Sequence, residues 1–191
     1  MDSDDKLTKN VFSKVYKFFL HHEDEIDIVT IPLVFFEGKT GGHWQNYKFK
    51  KGNRIADLYQ EYQAIFMSAS ASFFTSSCKH NIYFDDKLVC GEDTKVILSV
   101  IWEKMKVGLV TGCKYLYRRR VQGERSRIQS STKEYGWYFD YFTYLVDWAI
   151  DFYENRFGYL PAFVQYELIA DLQWRFNTTY DMEAVLNEIE I

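Results

Sequence analysis

The segment from 27 to 37, Asp-Ile-Val-Thr-Ile-Pro-Leu-Val-Phe-Phe-Glu, constrains the fold most. It is β-branched and aromatic, apolar on both faces of an extended chain, and closed by Gly38. A strand with two apolar faces has to be covered on both sides, which calls for a sheet with helices against it. Pro32 removes a ladder donor in its middle and predicts a sheet edge or a bulge there.

Helical periodicity supplies the covering layers. Leu7 to Leu20 predicts an amphipathic helix, with Val11, Val15, Phe18 and Phe19 on one side and Lys9, Lys14 and Lys17 on the other. Val96, Ile97, Val100, Ile101 and Met105 mark another. Trp44 to Phe49 predicts a short strand and Arg54 to Tyr62 a short helix. Gly108-Leu109-Val110 begins a strand that leads into Tyr115-Leu116-Tyr117-Arg118-Arg119-Arg120. From Gly136 onward the pattern is helical, through Phe139, Phe142, Val146, Ile150 and Tyr153, then Val164, Leu168, Leu172 and Phe176. Met182, Val185, Leu186 and Ile189 predict a short third helix. The chain therefore divides into an α/β part over 1–120, a polar loop over 121–135 and a helical tail over 136–191.

Composition excludes several classes. The 191 residues are 47% apolar with two prolines, which suits one domain with a sizeable core rather than long disorder. A net charge of -4 argues against a dedicated nucleic-acid binder. Cys78, Cys90 and Cys113 have no metal-like spacing and read as reduced thiols. No stretch has signal-peptide anatomy and no apolar run reaches the ~20 residues of a membrane span, so a cytoplasmic protein is expected. The 16 Phe, 15 Tyr and 5 Trp could stack on sugar rings, but core and interface packing account for most aromatics of this kind.

Three charged groups carry candidate chemistry. Asp2-Ser3-Asp4-Asp5 sets carboxylates close together, an arrangement favoured when a cation sits among them; on composition alone, a helix cap is the plainer reading. Glu92-Asp93 follows Gly91 at a helix start, as a cap or as a general base facing a cleft. Arg118, Arg119 and Arg120 can pair with phosphate oxygens, although three consecutive arginines cannot all face one ligand. His21-His22-Glu23 reads as a solvated helix end, because adjacent helical residues diverge.

Taken in order, Asp-Ser-Asp-Asp, then Phe84-Asp85-Asp86-Lys87-Leu88 with Gly91-Glu92-Asp93, then the arginine run, resemble family 2 glycosyltransferases of the GT-A fold. Leu160-Pro161 and Asp171-Leu172-Gln173-Trp174-Arg175 resemble the subgroup acting in bacterial capsule and teichoic-acid-type polysaccharide synthesis. The resemblance implies a divalent metal, Mg²⁺ or Mn²⁺, held by Asp2, Asp4 and Asp5. It implies a nucleotide-sugar donor, UDP-linked, with its diphosphate near Arg118, Arg119 or Arg120. Asp93 would be the catalytic base supported by Glu92, and the reaction an inverting transfer to a glycan acceptor flanked by 68–77 and 122–133. In that family a nucleotide-binding half precedes the acidic motif. Here Met1 abuts it, so a partial GT-A domain is expected, with little activity by itself. Homo-oligomers and peripheral attachment at the inner membrane face are further expectations, as is no nucleic-acid partner. The rival expectation is a non-catalytic accessory module that docks through its aromatic helices.

Overall fold

The computed structural model describes residues 3–66, 68–121, 131–132 and 134–176. Its framework is two strand ribbons running side by side through two four-stranded sheets. The first ribbon is β2 (Ile28–Thr30) continuing into β3 (Leu33–Glu37). The second is the pair Lys106–Leu109 and Tyr115–Arg119, which are β7 and β8 in chain order. β2 pairs in parallel with β7, and β3 in parallel with β8. At the level where the first ribbon passes from one sheet to the other, Val110 donates to the Thr30 carbonyl at 3.0 Å and Tyr115 to the Pro32 carbonyl at 2.9 Å.

Pro32 thus has a larger effect than a bulge. It splits the expected strand in two, and the halves enter different sheets with neighbours on both sides. One sheet runs β1 (Lys6–Leu7), β8, β3, β4 (Gly41–Gly42), and the other β5 (Arg54–Asp57), β7, β2, β6 (Ser72–Phe74). Strands that are parallel neighbours need a long crossover between them, and that crossover carries helix α2 (Glu92–Ile101).

Local expectations fail where an apolar pattern was short. The first helix, α1, spans Val11–His22, and Leu7 belongs to strand β1 instead. The Trp44–Lys51 segment is a 3-10 helix rather than a strand, opened by His43, whose ring nitrogen accepts from the Gln45 amide at 3.3 Å. Arg54–Asp57 is a strand rather than a helix, because its ladder with β7 (Ile55 opposite Gly108) outweighs the helical spacing of its side chains. Gly108 also lets α1 close on the sheet: a Cβ there would sit 2.7 Å from Phe18 and 2.8 Å from Ile26.

The C-terminal helices are α3 (Tyr135–Tyr141), a π-turn (Phe142–Val146), α4 (Asp147–Phe157) and α5 (Ala162–Leu172). The expected third helix lies outside the described residues. These helices share one core with the sheets, which includes Val15, Ile28, Leu98, Leu109, Tyr115, Tyr153 and Val164. The Tyr153 hydroxyl, fully buried, donates to the Leu98 carbonyl of α2 at 2.7 Å. Gly91 makes the π-turn fit: at φ +102° it has no Cβ, and one would lie 3.0 Å from Leu145. Among the described residues, no helix is long and apolar enough to cross a membrane.

Candidate functional site

Residues 4 and 5 do not cap a helix. They sit in the turn before β1, which pairs antiparallel with β8, so the acidic motif is laid beside the arginine strand 113 residues later. Asp5 is buried at 8% exposure and engaged at both oxygens: the Tyr115 hydroxyl donates to one at 2.5 Å, the Arg118 amide to the other at 2.7 Å. It braces the turn against β8.

Asp4 is more open and points its charge at side chains. Arg120 Nε donates to Asp4 Oδ2 at 2.8 Å, and Arg118 Nη1 lies 4.0 Å from the same oxygen. Arg118 also bonds Glu37, at the end of β3, through both Nε and Nη2. The Arg120 hydrogen bond holds the Asp4 carboxyl below its usual range, and the Arg118 bond does the same for Glu37. Arg119 alternates to the other face of β8, opposite Glu37 in register. Asp2 lies outside the described residues. Among those described, no group of three or more His, Cys, Asp or Glu converges as a metal site.

No protein-family model matches the chain. It is 35% identical over 190 residues, all of its length, to the minor teichoic acid biosynthesis protein GgaB of Bacillus subtilis (strain 168), covering 21% of that protein. It is 27% identical over 195 residues to GgaA, the minor teichoic acid biosynthesis protein of the same organism, covering 43% of it. The chain is similar along its whole length to these teichoic acid biosynthesis proteins. It spans less than half the length of either. The teichoic-acid-type resemblance read from Leu160-Pro161 and Asp171-Leu172-Gln173-Trp174-Arg175 is thereby borne out. Its fold overlays the crystal structure of S. aureus TarS 1-349 in complex with UDP-GlcNAc with a TM-score of 0.53, at 20% identity, over 72% of this chain and 38% of that one. That overlay concerns the fold alone.

The segment that resembles these teichoic acid proteins carries a second group at the start of α2. Asp93 Oδ2 accepts from the Ala69 amide at 3.0 Å, which ties the first turn of α2 to the Ser-rich segment. Gly91, rather than either carboxylate, occupies the cap position. The half-buried Cys90 thiol reports on what surrounds this turn. Burial pushes it up to about 12, Asp171 adds to the shift, Arg175 opposes it, and Glu92 and Asp93 add smaller amounts. The Asp171–Arg175 pair, at and just beyond the end of α5, thus acts on the same thiol as Glu92 and Asp93.

Sequence reasoning missed the charges of α5. Glu167 and Asp171 on α5 and Arg175 in the turn after it recur every fourth residue, beside the core residues Phe163, Val164 and Leu168. All three are buried, at 1%, 8% and 2% exposure. Charges spaced with an apolar stripe were the signal available. Glu37, Tyr115 and the Ala69 amide were missed because they are neighbours only across the sheet or the turn.

Proposed function

We propose that this chain forms part of the catalytic unit of a metal-dependent, inverting glycosyltransferase of partial GT-A architecture. It would transfer a sugar from a UDP-linked donor to a glycan acceptor in teichoic-acid-type polymer synthesis. The observation that carries the reading is the assembly of Asp4 with Arg118 and Arg120, residues more than a hundred positions apart in sequence, in one solvent-accessible cluster. Full-length similarity to teichoic acid biosynthesis proteins supports the polymer class.

The Asp93 carboxylate would take the proton from an acceptor hydroxyl as its oxygen forms a bond to the anomeric carbon. The bond from that carbon to the nucleoside diphosphate breaks on the opposite face, its electron pair leaves with the diphosphate, and the configuration inverts. Arg118 and Arg120, exchanging Asp4 and Glu37 for phosphate oxygens, would stabilise the departing charge. A Mg²⁺ or Mn²⁺ ion, when bound, supplies further charge neutralisation at the diphosphate. The described residue suited to it is Asp4, whose Oδ1 neither arginine engages, and one carboxylate suits an ion held chiefly by phosphate oxygens and water. Asp5 is already engaged at both oxygens. Glu92 would stand beside the base as its supporting carboxylate.

The activity belongs to the polypeptide that carries these residues in full; the 191-residue chain alone is expected to transfer slowly or not at all. UDP release from UDP-N-acetylglucosamine onto a teichoic acid acceptor tests the base. Asp93→Asn should slow it by about 10²- to 10⁴-fold, the range for a removed general base. Turnover near the unaltered rate would remove Asp93 from the mechanism.

A further inference from the structure

A cleft used by neither Asp4 nor Asp93 opens between the Trp44–Lys51 helix, β5 and the turn that follows it. It encloses about 340 Å³ and is lined by Tyr47, Lys51, Arg54, Gln60, Glu61 and Tyr62, among others. This volume lies at the lower end for small-molecule sites. Tyr47 and Tyr62 are 39% and 40% exposed, so a substantial part of each ring meets solvent.

Both rings are held from behind by α5. The Tyr47 and Tyr166 hydroxyls are 2.9 Å apart, and Tyr62 meets Tyr166 edge to face with ring centres 5.8 Å apart. Gln63 Nε2 donates to the Tyr62 hydroxyl at 3.1 Å. Rings fixed in this way lose little freedom when a ligand stacks on them. The polar rim is equally specific. Lys51 Nζ and Arg54 Nη2 share a single oxygen of Glu61, Oε2, at 3.1 and 2.9 Å. Two cations on one carboxylate leave positive charge at the rim. Lys51 is 66% exposed and free to swing its ammonium to an incoming anion, while Arg54 retains Glu61.

We propose that this cleft binds a phosphate-substituted sugar residue, with the tyrosine rings against the apolar ring face, Lys51 on the phosphate and Glu61 Oε1 and Gln60 on the hydroxyls. Aromatic faces, a planar amide and a carboxylate oxygen form the donor and acceptor set that hydroxyls on a flat apolar ring require. The excess cation selects for the anionic substituent. The inference stands on the cleft itself and does not need the transfer reaction.

Titration of the 191-residue chain by calorimetry with glucose 1-phosphate, glucose and inorganic phosphate as separate probes tests it. Glucose 1-phosphate should saturate, and glucose or phosphate alone should bind at least about tenfold more weakly, since each lacks one of the two contacts. Tyr62→Ala and Lys51→Gln should each weaken glucose 1-phosphate by about three- to tenfold, with circular dichroism showing both variants folded at the titration temperature. Phosphate binding as tightly as glucose 1-phosphate would show a simple charge site and overturn the proposal. So would the absence of saturable binding, or a Tyr62→Ala variant that binds unchanged. UDP with Mn²⁺, titrated in parallel, reports on the Asp4 cluster and separates failure there from failure of the cleft.

Discussion

Two of the regions in which opposite charges meet differ in how far water reaches them. Where the turn before β1 meets the end of β8, Asp4, Arg118 and Arg120 keep 19%, 39% and 37% of their side-chain surface exposed. At the end of α5 and in the turn after it, Asp171 and Arg175 keep 12% and 2%. Each pair has the same chemistry and a different meaning. An exposed arginine gives up its carboxylate cheaply, since solvent compensates both ions and a phosphate can replace the partner. A buried one cannot. Arg175 donates to the Trp137 and Asp171 carbonyls at 2.9 and 3.2 Å, and its guanidinium lies 3.4 Å from the Tyr141 ring centre. Exchange is what we propose for the first region; in the second, Arg175 is fixed against α3 through the Trp137 carbonyl.

The largest expected effect breaks the buried side. Arg175→Ala should cost about 3 kcal/mol in urea unfolding, the low end for breaking a buried pair. The low end applies because burial pushes the Asp171 carboxyl up, so it can take a proton once the arginine is gone. Replacing both partners by Met and Leu should recover most of that loss, and a double variant as unstable as Arg175→Ala would show that the pair itself is required.

Next in size is a response to acid. Burial, reinforced by Lys48 and Lys39, holds His43 down at about 4 against an ordinary 6.5. The folded state thus keeps His43 neutral where the unfolded chain already binds a proton. Stability should therefore fall as pH drops from 6.5 and level off for this group below about 4. His43→Asn, which retains an acceptor for the Gln45 amide, should flatten the thermal midpoint over that window. The Asp4 and Glu37 carboxyls, held below their ordinary values of 3.8 and 4.5, lose their contribution only at lower pH, as they protonate.

The smallest effect sharpens the exposed side. Arg118→Gln should leave the thermal midpoint nearly unchanged, and raising salt from 50 mM to 500 mM should abolish what difference remains. The same change of salt should leave the cost of Arg175→Ala in place, because buried pairs are screened little.

Much of this was legible in the sequence, for a physical reason. Helix α2 and helices α3 to α5 carry apolar stripes long enough to identify their period, and the α/β class follows from them. Residues 44–49 and 54–62 were misread because a handful of apolar residues fits either period; partners in β7 decided 54–57. The three charged motifs were visible, as was their order. That Asp4 meets Arg120, and that Asp5 is consumed as a brace by Tyr115, depends on β1 lying against β8. A two-residue strand leaves no periodic trace.

The central claim is that the Asp4–Arg118–Arg120 cluster trades its internal pairs for a diphosphate and a divalent ion. Calorimetry of UDP binding to the 191-residue chain, with and without Mn²⁺, addresses it most directly. The account predicts weak binding that strengthens with Mn²⁺, loses that metal response in Asp4→Asn, and weakens about tenfold or more in Arg120→Gln. Binding that ignores Mn²⁺, or that persists unchanged in both variants, would contradict it.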